Sequence, residues 1–118
     1  MTTQRADQFD SDRIGTRPRA EVERRHDALE ADSLGPHGGT QLSKGALTGY
    51  QWALGRGDGA PVTGAVAEST PDLDLLTAEV DAATVQLEAG PQQTLPRDYT
   101  QGVHDALAWV CGHTDDSP

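Results

Sequence analysis

The sequence has few of the residues on which secreted and membrane proteins depend. It contains one cysteine, Cys111, so no intramolecular disulfide can form and a secreted disulfide framework is excluded. No segment comes near the ~20 apolar residues that a membrane-spanning helix needs, and the first ten residues lack the apolar region of a signal peptide. We therefore expect a cytoplasmic protein that does not enter the membrane.

Core-forming side chains are also scarce. Hydrophobic residues make up 35% of the 118-residue chain and aromatic residues 4%, which is little for a packed globule. A chain of this length forms one domain at most. We expect that only part of it folds into a compact domain and that the rest is solvated.

Lysine and asparagine are nearly missing. The chain has one lysine, eight arginines and no asparagine, whereas glycine, alanine, arginine and proline together supply 43 residues. This usage is typical of GC-rich codons and indicates a bacterium with a GC-rich genome.

Negative charge dominates, and it is unevenly placed. The formal net charge is −10. Residues 1–40 contain six arginines and eight acidic residues, a charge of −2, whereas residues 41–118 contain three basic and eleven acidic residues, a charge of −8. Such a surface repels a phosphate backbone, so direct nucleic-acid binding is not expected. Solubility and binding to a basic protein partner both account for the charge.

Glycine and proline divide the chain. The run Leu34-Gly-Pro-His-Gly-Gly39 breaks any helix. We therefore predict a flexible arm at 1–40, a helical domain at 41–113 and a frayed tail at 114–118. Within the arm, residues 19–32 contain good helix formers but few apolar side chains, which predicts a helix that is marginal on its own.

The domain is predicted to be an all-α bundle of three helices. Apolar residues recur at helical spacing near 42–54, 70–89 and 99–111, and each helix presents one good apolar stripe. Thr40 or Ser43 is expected to cap the first helix. A bundle of this size is only marginally stable, so self-association would help it.

The second helix has the clearest start and an unusual surface. Thr70 is expected to cap it, with Pro71 at its first position. Its main stripe consists of Leu73, Leu76, Val80, Ala83 and Leu87. A second stripe on the far side consists of Leu75, Ala78, Ala82, Val85 and Ala89, and Asp74, Asp81 and Glu88 line one boundary between the two. Because this helix has two apolar sides, it is predicted to contact a neighbouring helix or another chain on each of them.

The two tryptophans complete the candidate interaction surface. Trp52 falls opposite the stripe of the first helix, and Trp109 falls at the edge of the stripe of the third. Either loop 55–69 seals them against the bundle or they are exposed and anchor a partner, since tryptophan is enriched in binding hot spots. The candidate residues are Trp52, Leu75, Ala78, Ala82, Val85 and Trp109.

No grouping of residues indicates catalysis or cofactor binding. The Arg56-Gly-Asp58 tripeptide suits a helix end and a turn better than an adhesion motif. His104 and Cys111 lie two helical turns apart, about 10 Å, too far to share one zinc ion unaided. Nothing in the sequence places a base beside a nucleophile. We expect no enzyme, no metal and no cofactor, and a reactive Cys111 thiol would reopen the question.

Two stretches of the domain resemble known sequences. They are Tyr50-Gln-Trp-Ala-Leu-Gly55 with Ala60-Pro-Val-Thr-Gly64, and Tyr99-Thr-Gln-Gly-Val-His-Asp-Ala-Leu-Ala-Trp-Val-Cys-Gly112. They resemble small uncharacterised proteins of actinobacteria, of the accessory kind carried by phages and integrated elements. The resemblance covers about residues 42–113, carries no known active site, and implies a cytoplasmic bacterial accessory protein.

These patterns predict a non-enzymatic protein–protein interaction module, with a homodimer as one form of it. The alternative is an acidic inhibitor or adaptor that covers the nucleic-acid-binding surface of a basic partner protein. The charge of −8 on residues 41–118 favours this alternative. The sequence does not separate the two, because they differ mainly in the partner.

Overall fold

In the part of the chain that the structure describes, a short β-hairpin is followed by four helices. The computed structural model describes residues 13–34, 40–56, 59–64, 71–89 and 96–114. In the hairpin, β1 (Arg13–Ile14) pairs antiparallel with β2 (Arg17–Pro18). The helices are α1 (Arg19–Ser33), α2 (Gln41–Ala53), α3 (Leu73–Glu88) and α4 (Arg97–Val110). The predicted helical class is confirmed, whereas the predicted three-helix bundle is corrected to four helices and a hairpin.

The starts of α2 and α3 are fixed by side-chain caps. The Thr40 hydroxyl oxygen accepts from the backbone N–H of Ser43 at 3.1 Å, so one of the two expected caps is confirmed. At α3 the cap is Asp72 rather than Thr70, because the Asp72 carboxylate accepts from the N–H of Leu75 at 2.9 Å. An acid also suits the positive end of the helix dipole better than a hydroxyl.

Helices α2 and α4 form the centre of the molecule and touch through glycines. A Cβ atom added to Gly45 would collide with the carbonyl oxygen of Tyr99. One added to Gly102 would collide with the carbonyl oxygen of Leu42 and the backbone nitrogen of Ala46. Only glycine leaves room for two backbones to approach this closely.

Helix α3 packs on α4 with the stripe that the sequence predicts. Leu76, Val80 and Ala83 are buried, Leu87 is half-buried, and Leu73 at the start of the helix is exposed. On the opposite side of α3, Ala78 and Val85 are exposed, whereas Leu75 packs partly against the core.

Residues 13–34 belong to the folded domain, which corrects the flexible arm predicted over 1–40. Ile14 and Val22 are fully buried in the hydrophobic core, and α1 packs against α2. The sequence offers few apolar side chains in this segment. Val22 and Leu29 suffice because they lie on the same side of α1 and because the hairpin binds the end of another helix.

The hairpin holds the C-terminal end of α4. Thr16 donates from both its N–H and its hydroxyl to the carbonyl oxygen of Val110, each at 3.0 Å. Arg17 donates to the carbonyl oxygens of Trp109 and Thr114, both at 2.8 Å. The last carbonyls of a helix have no partner within it, and a cation there is favoured by the dipole. The hairpin therefore acts as the C-terminal cap of α4.

Several sequence predictions fall on segments that the structure does not describe. They are the first part of the predicted arm (1–12), the glycine- and proline-rich run at 35–39, part of loop 55–69 (57–58 and 65–69) and the tail beyond residue 114. Within the described segments, no helix is both long enough and apolar enough to cross a bilayer.

Candidate functional site

The side of α3 opposite its buried stripe carries a second row of apolar residues, the first of which, Leu75, also packs against the hydrophobic core. We call it the outer face; it consists of Leu75, Ala78, Ala82, Val85 and Ala89. Val85 is 65% exposed and Ala78 is exposed, whereas the other three are half-buried. Single exposed apolar side chains are ordinary, whereas two that belong to a regular, partly buried apolar row mark a candidate binding surface. Four of these residues belong to the candidate surface predicted from the sequence.

The outer face has the spacing of a helix-pairing surface. Its residues follow one another at intervals of three, four, three and four, which is the spacing of the a and d positions of a heptad. The row spans 15 residues, roughly 21 Å along the helix axis. Ala78 and Ala82 are small, so a second helix can lie close against the middle of the row.

A row of carboxylates runs along one edge of the outer face. Asp74, Asp81 and Glu88 are exposed and stand seven residues apart, so they line up along the helix. Residues 71–89 contain no lysine, arginine or histidine. Arg97 donates to the carbonyl oxygen of Leu87 at 2.9 Å, which places a cation at the C-terminal end of α3. Most of the edge is therefore negative.

The other edge is closed by a loop that Glu79 holds. Glu79 is buried, and its carboxylate accepts from the backbone N–H groups of Val62 and Thr63 and from the Thr63 hydroxyl. Several donors offset the cost of burying the charge. Glu79 is therefore the anchor of the loop at residues 60–64.

Trp109 lies in the core, which corrects its place in the candidate surface. It is 2% exposed and packs edge-on against Tyr50, with ring centroids 6.1 Å apart. The guanidinium carbons of Arg17 and Arg25 lie 4.7 and 5.8 Å from its ring centroid. The contacts of its ring thus include residues of α2, the hairpin and α1, and both arginines gain from the negative face of the indole.

Trp52 is also buried, at 3% exposure. The sequence interpretation placed it opposite the apolar stripe of α2, and that position is correct. However, α2 packs against α4 and also against α1, so residues around most of its circumference are covered. Neither tryptophan is a surface anchor, and the candidate surface is reduced to the outer face.

His26 is a buried polar residue that the sequence interpretation left in the flexible arm. Its Nδ1 lies 3.0 Å from a carboxylate oxygen of Asp27, and its Nε2 lies 3.4 Å from the amide nitrogen of Gln51. The contact with Gln51 joins α1 to α2. The helical spacing of Val22, His26 and Leu29 is the signal that could have identified it as part of a buried side.

The described residues hold no group of three or more histidine, cysteine or acidic side chains that could bind a metal ion. Cys111 is buried, and burial raises the pKa of its thiol; a hydrogen bond from Thr77 lowers the pKa, and the Asp81 charge raises it. A protonated thiol is a weak nucleophile. The absence of enzymatic activity stays a prediction.

A shallow cavity on the outside of α1 is a second candidate site. Its volume is about 270 Å³, and it is lined by Glu21, Arg24, Arg25 and Ala28. All four residues belong to one helix, so no second element orients a ligand there. The outer face of α3 is the better candidate.

Comparisons of the chain with protein-family models, with curated proteins and with solved structures find no match. The resemblance to actinobacterial accessory proteins therefore stays a prediction. The contacts and exposure of this chain's own residues are what indicate a function.

Proposed function

We propose that the protein is a protein–protein interaction module and that the outer face of α3 is its binding surface. The observation that carries the proposal is the heptad-spaced apolar row, in which Val85 is 65% exposed and Ala78 is also exposed. The opposite side of the same helix is packed on α4. A second helix that lies along a regular, partly exposed apolar face buries the side chains that are still open to solvent.

The packing and capping of α3 make this surface rigid. Its inner residues Leu76, Val80 and Ala83 are buried, and its start is capped by Asp72. A rigid helix loses little conformational entropy when a partner binds, which favours affinity from a small interface. A single helix face of this length is at the small end of protein interfaces, so we expect a transient complex with micromolar affinity.

Site-specific photo-crosslinking tests the proposal. A photoreactive phenylalanine derivative replaces Val85 in the full chain, and the same residue replaces Asp32, exposed on α1, as the control. After irradiation of cells that express each chain, we expect a discrete crosslinked protein from position 85 alone. The same products from both positions, or none from position 85, would contradict the proposal.

Ala82→Glu should remove that crosslink without unfolding the chain. Ala82 is half-buried on the outer face, so a glutamate can reach solvent while its charge opposes an apolar partner. Ala28→Glu is the matched control, because Ala28 is exposed on α1. Circular dichroism melting curves should be similar for both variants. Retention of the crosslink in Ala82→Glu would count against the outer face.

A further inference from the structure

We propose that the outer face of α3 binds an amphipathic helix of another protein whose lysine or arginine side chains lie against Asp74, Asp81 and Glu88. The inference rests on the proposed function, because it names the class of partner for the same face. Two properties of α3 carry it, namely the register of the apolar row and the placement of charge beside that row.

The register assigns a heptad position to each residue. With Leu75 at position a, the five residues of the outer face fill the a and d positions over two heptads. The three exposed acids at 74, 81 and 88 then all occupy position g. Residues at e and g flank the contact between paired helices and decide which helices can pair.

The e positions supply no positive charge. They are occupied by Asp72, Glu79 and Gln86. Asp72 caps the helix, and the Glu79 carboxylate is held by the backbone of residues 62–63. Arg97, which donates to the carbonyl oxygen of Leu87, is at the C-terminal end of α3 and not beside the middle of the row.

A second copy of the chain is therefore a poor occupant. In an antiparallel pair of α3 helices the g positions face each other, so acid meets acid along the contact. In a parallel pair g faces e, where the residues are again acidic or uncharged. Like charges across a contact disfavour it, whereas a helix with basic residues at the facing positions gains an opposite charge at each acid.

Binding of two designed peptides tests the inference on the intact protein. Both are helical peptides of three heptads with leucine at a and d; one has lysine at e and g, and the other has glutamate there. We expect the lysine peptide to bind at least about tenfold more tightly in fluorescence anisotropy. The preference should shrink as salt is added, because the acids are exposed.

Charge reversal on α3 provides the specific control. Asp81→Lys should weaken binding of the lysine peptide by about three- to tenfold, and a second change, Glu88→Lys, should shift the preference toward the glutamate peptide. Asp32→Lys changes the net charge equally on α1 and should have little effect. Equal binding of the two peptides, or equal effects of Asp32→Lys and Asp81→Lys, would overturn the inference.

The remaining outcomes separate this inference from the proposed function. Val85→Asp should abolish binding of the lysine peptide, since it places a charge inside the apolar row. If position 85 crosslinks to a protein but the chain binds the lysine and glutamate peptides equally, the proposed basic partner is wrong and the interaction surface still stands. A dimer in analytical ultracentrifugation that Val85→Asp dissociates shows a second copy on the face and overturns the inference while the interaction surface stands.

Discussion

Two polar atoms in the core lack a hydrogen-bond partner among the described residues, the hydroxyl of Tyr50 and the Nε1 of Trp52. An unpaired buried donor costs about 1–3 kcal/mol. Tyr50 offsets that cost by packing: its ring meets Trp109 at an interplanar angle of 87°. The edge-to-face arrangement is favourable beyond the area that it buries. Here the aromatic ring contributes to stability and the hydroxyl does not.

Tyr50→Phe should therefore leave the free energy of unfolding unchanged or raise it by up to about 1 kcal/mol. The substitution keeps the ring and removes the unpaired hydroxyl. Urea denaturation followed by circular dichroism measures the change, with Tyr99→Phe at a half-buried position as the control. A loss of more than about 1 kcal/mol would mean that the Tyr50 hydroxyl forms a bond that stabilises the fold.

Single residues were the hardest features to predict from sequence. In the sequence, Glu79 cannot be told apart from the solvated acids of the same helix. Only its contact with residues 62–63 shows that it anchors the loop. The exposure of Val85 and Ala78 was predictable, because it follows from helical spacing once the opposite side is known to be apolar. A local sequence pattern shows helix periodicity, but it does not show contacts between residues that are distant in the sequence.

At the scale of elements, the contact between α2 and α4 depends on glycine at particular positions. An added Cβ at Gly102 meets backbone atoms of Leu42 and Ala46 that cannot move without displacing α2. At Gly49 the nearest atoms lie 3.5–3.6 Å away, which is ordinary van der Waals contact. Two glycines in the same helix pair should thus respond oppositely to the same substitution.

Gly102→Ala should destabilise the protein by about 2 kcal/mol or more, since overpacking forces the two backbones apart. Gly49→Ala should be neutral or stabilising by up to about 1 kcal/mol, because alanine favours the helix more than glycine does. Both are measured by urea denaturation. Similar losses in the two variants would show that α2 and α4 do not approach each other as described.

The hairpin makes a second prediction at this scale. Arg17→Ala removes two hydrogen bonds to the end of α4 and the contact with Trp109, and should cost about 1–3 kcal/mol. It should also shift tryptophan fluorescence toward longer wavelengths as Trp109 gains solvent. Arg24→Ala, at an exposed position on α1, is the control. An unchanged emission spectrum in Arg17→Ala would argue against the hairpin as the cover of Trp109.

The elements divide into those that local signals predict and those that they do not. Helices α2, α3 and α4 were located within about three residues at each end, because caps, glycine stops and apolar stripes are all local. The hairpin and the packing of α1 were missed. Their stabilising contacts join Thr16 and Arg17 to residues more than 90 positions later, and such partners leave no trace in the segment itself.

For the molecule as a whole, stability should fall at alkaline pH. Burial raises the pKa of Tyr50 above its ordinary value of 10.0, with Arg25 lowering it by less. Burial also raises the pKa of Cys111 above its ordinary value of 9.0. The folded state thus keeps both protons to higher pH than the unfolded state. The resulting stability is complete below the unfolded pKa values and is lost as pH rises above them.

Chemical denaturation at a series of pH values checks this expectation. The free energy of unfolding should decline from about pH 9 upward, by at most ~1.4 kcal/mol per pH unit for each group. The double variant Tyr50→Phe/Cys111→Ala should show a flatter profile over the same range. An equally steep decline in the double variant would assign the alkaline loss to other groups.

The cap that the hairpin places on α4 also has a consequence for the order of folding. The hydrogen bond from Arg17 to the carbonyl oxygen of Thr114 cannot form until Thr114, 97 residues further along the chain, has been synthesised. At ~5–20 residues per second, a ribosome needs roughly 5–20 s to deliver it. During that time Ile14 and Val22 have been synthesised but lack part of the structure that buries them. This segment leaves the ribosome well before residue 114 and is thus among the last to pack, and until then a chaperone can bind it.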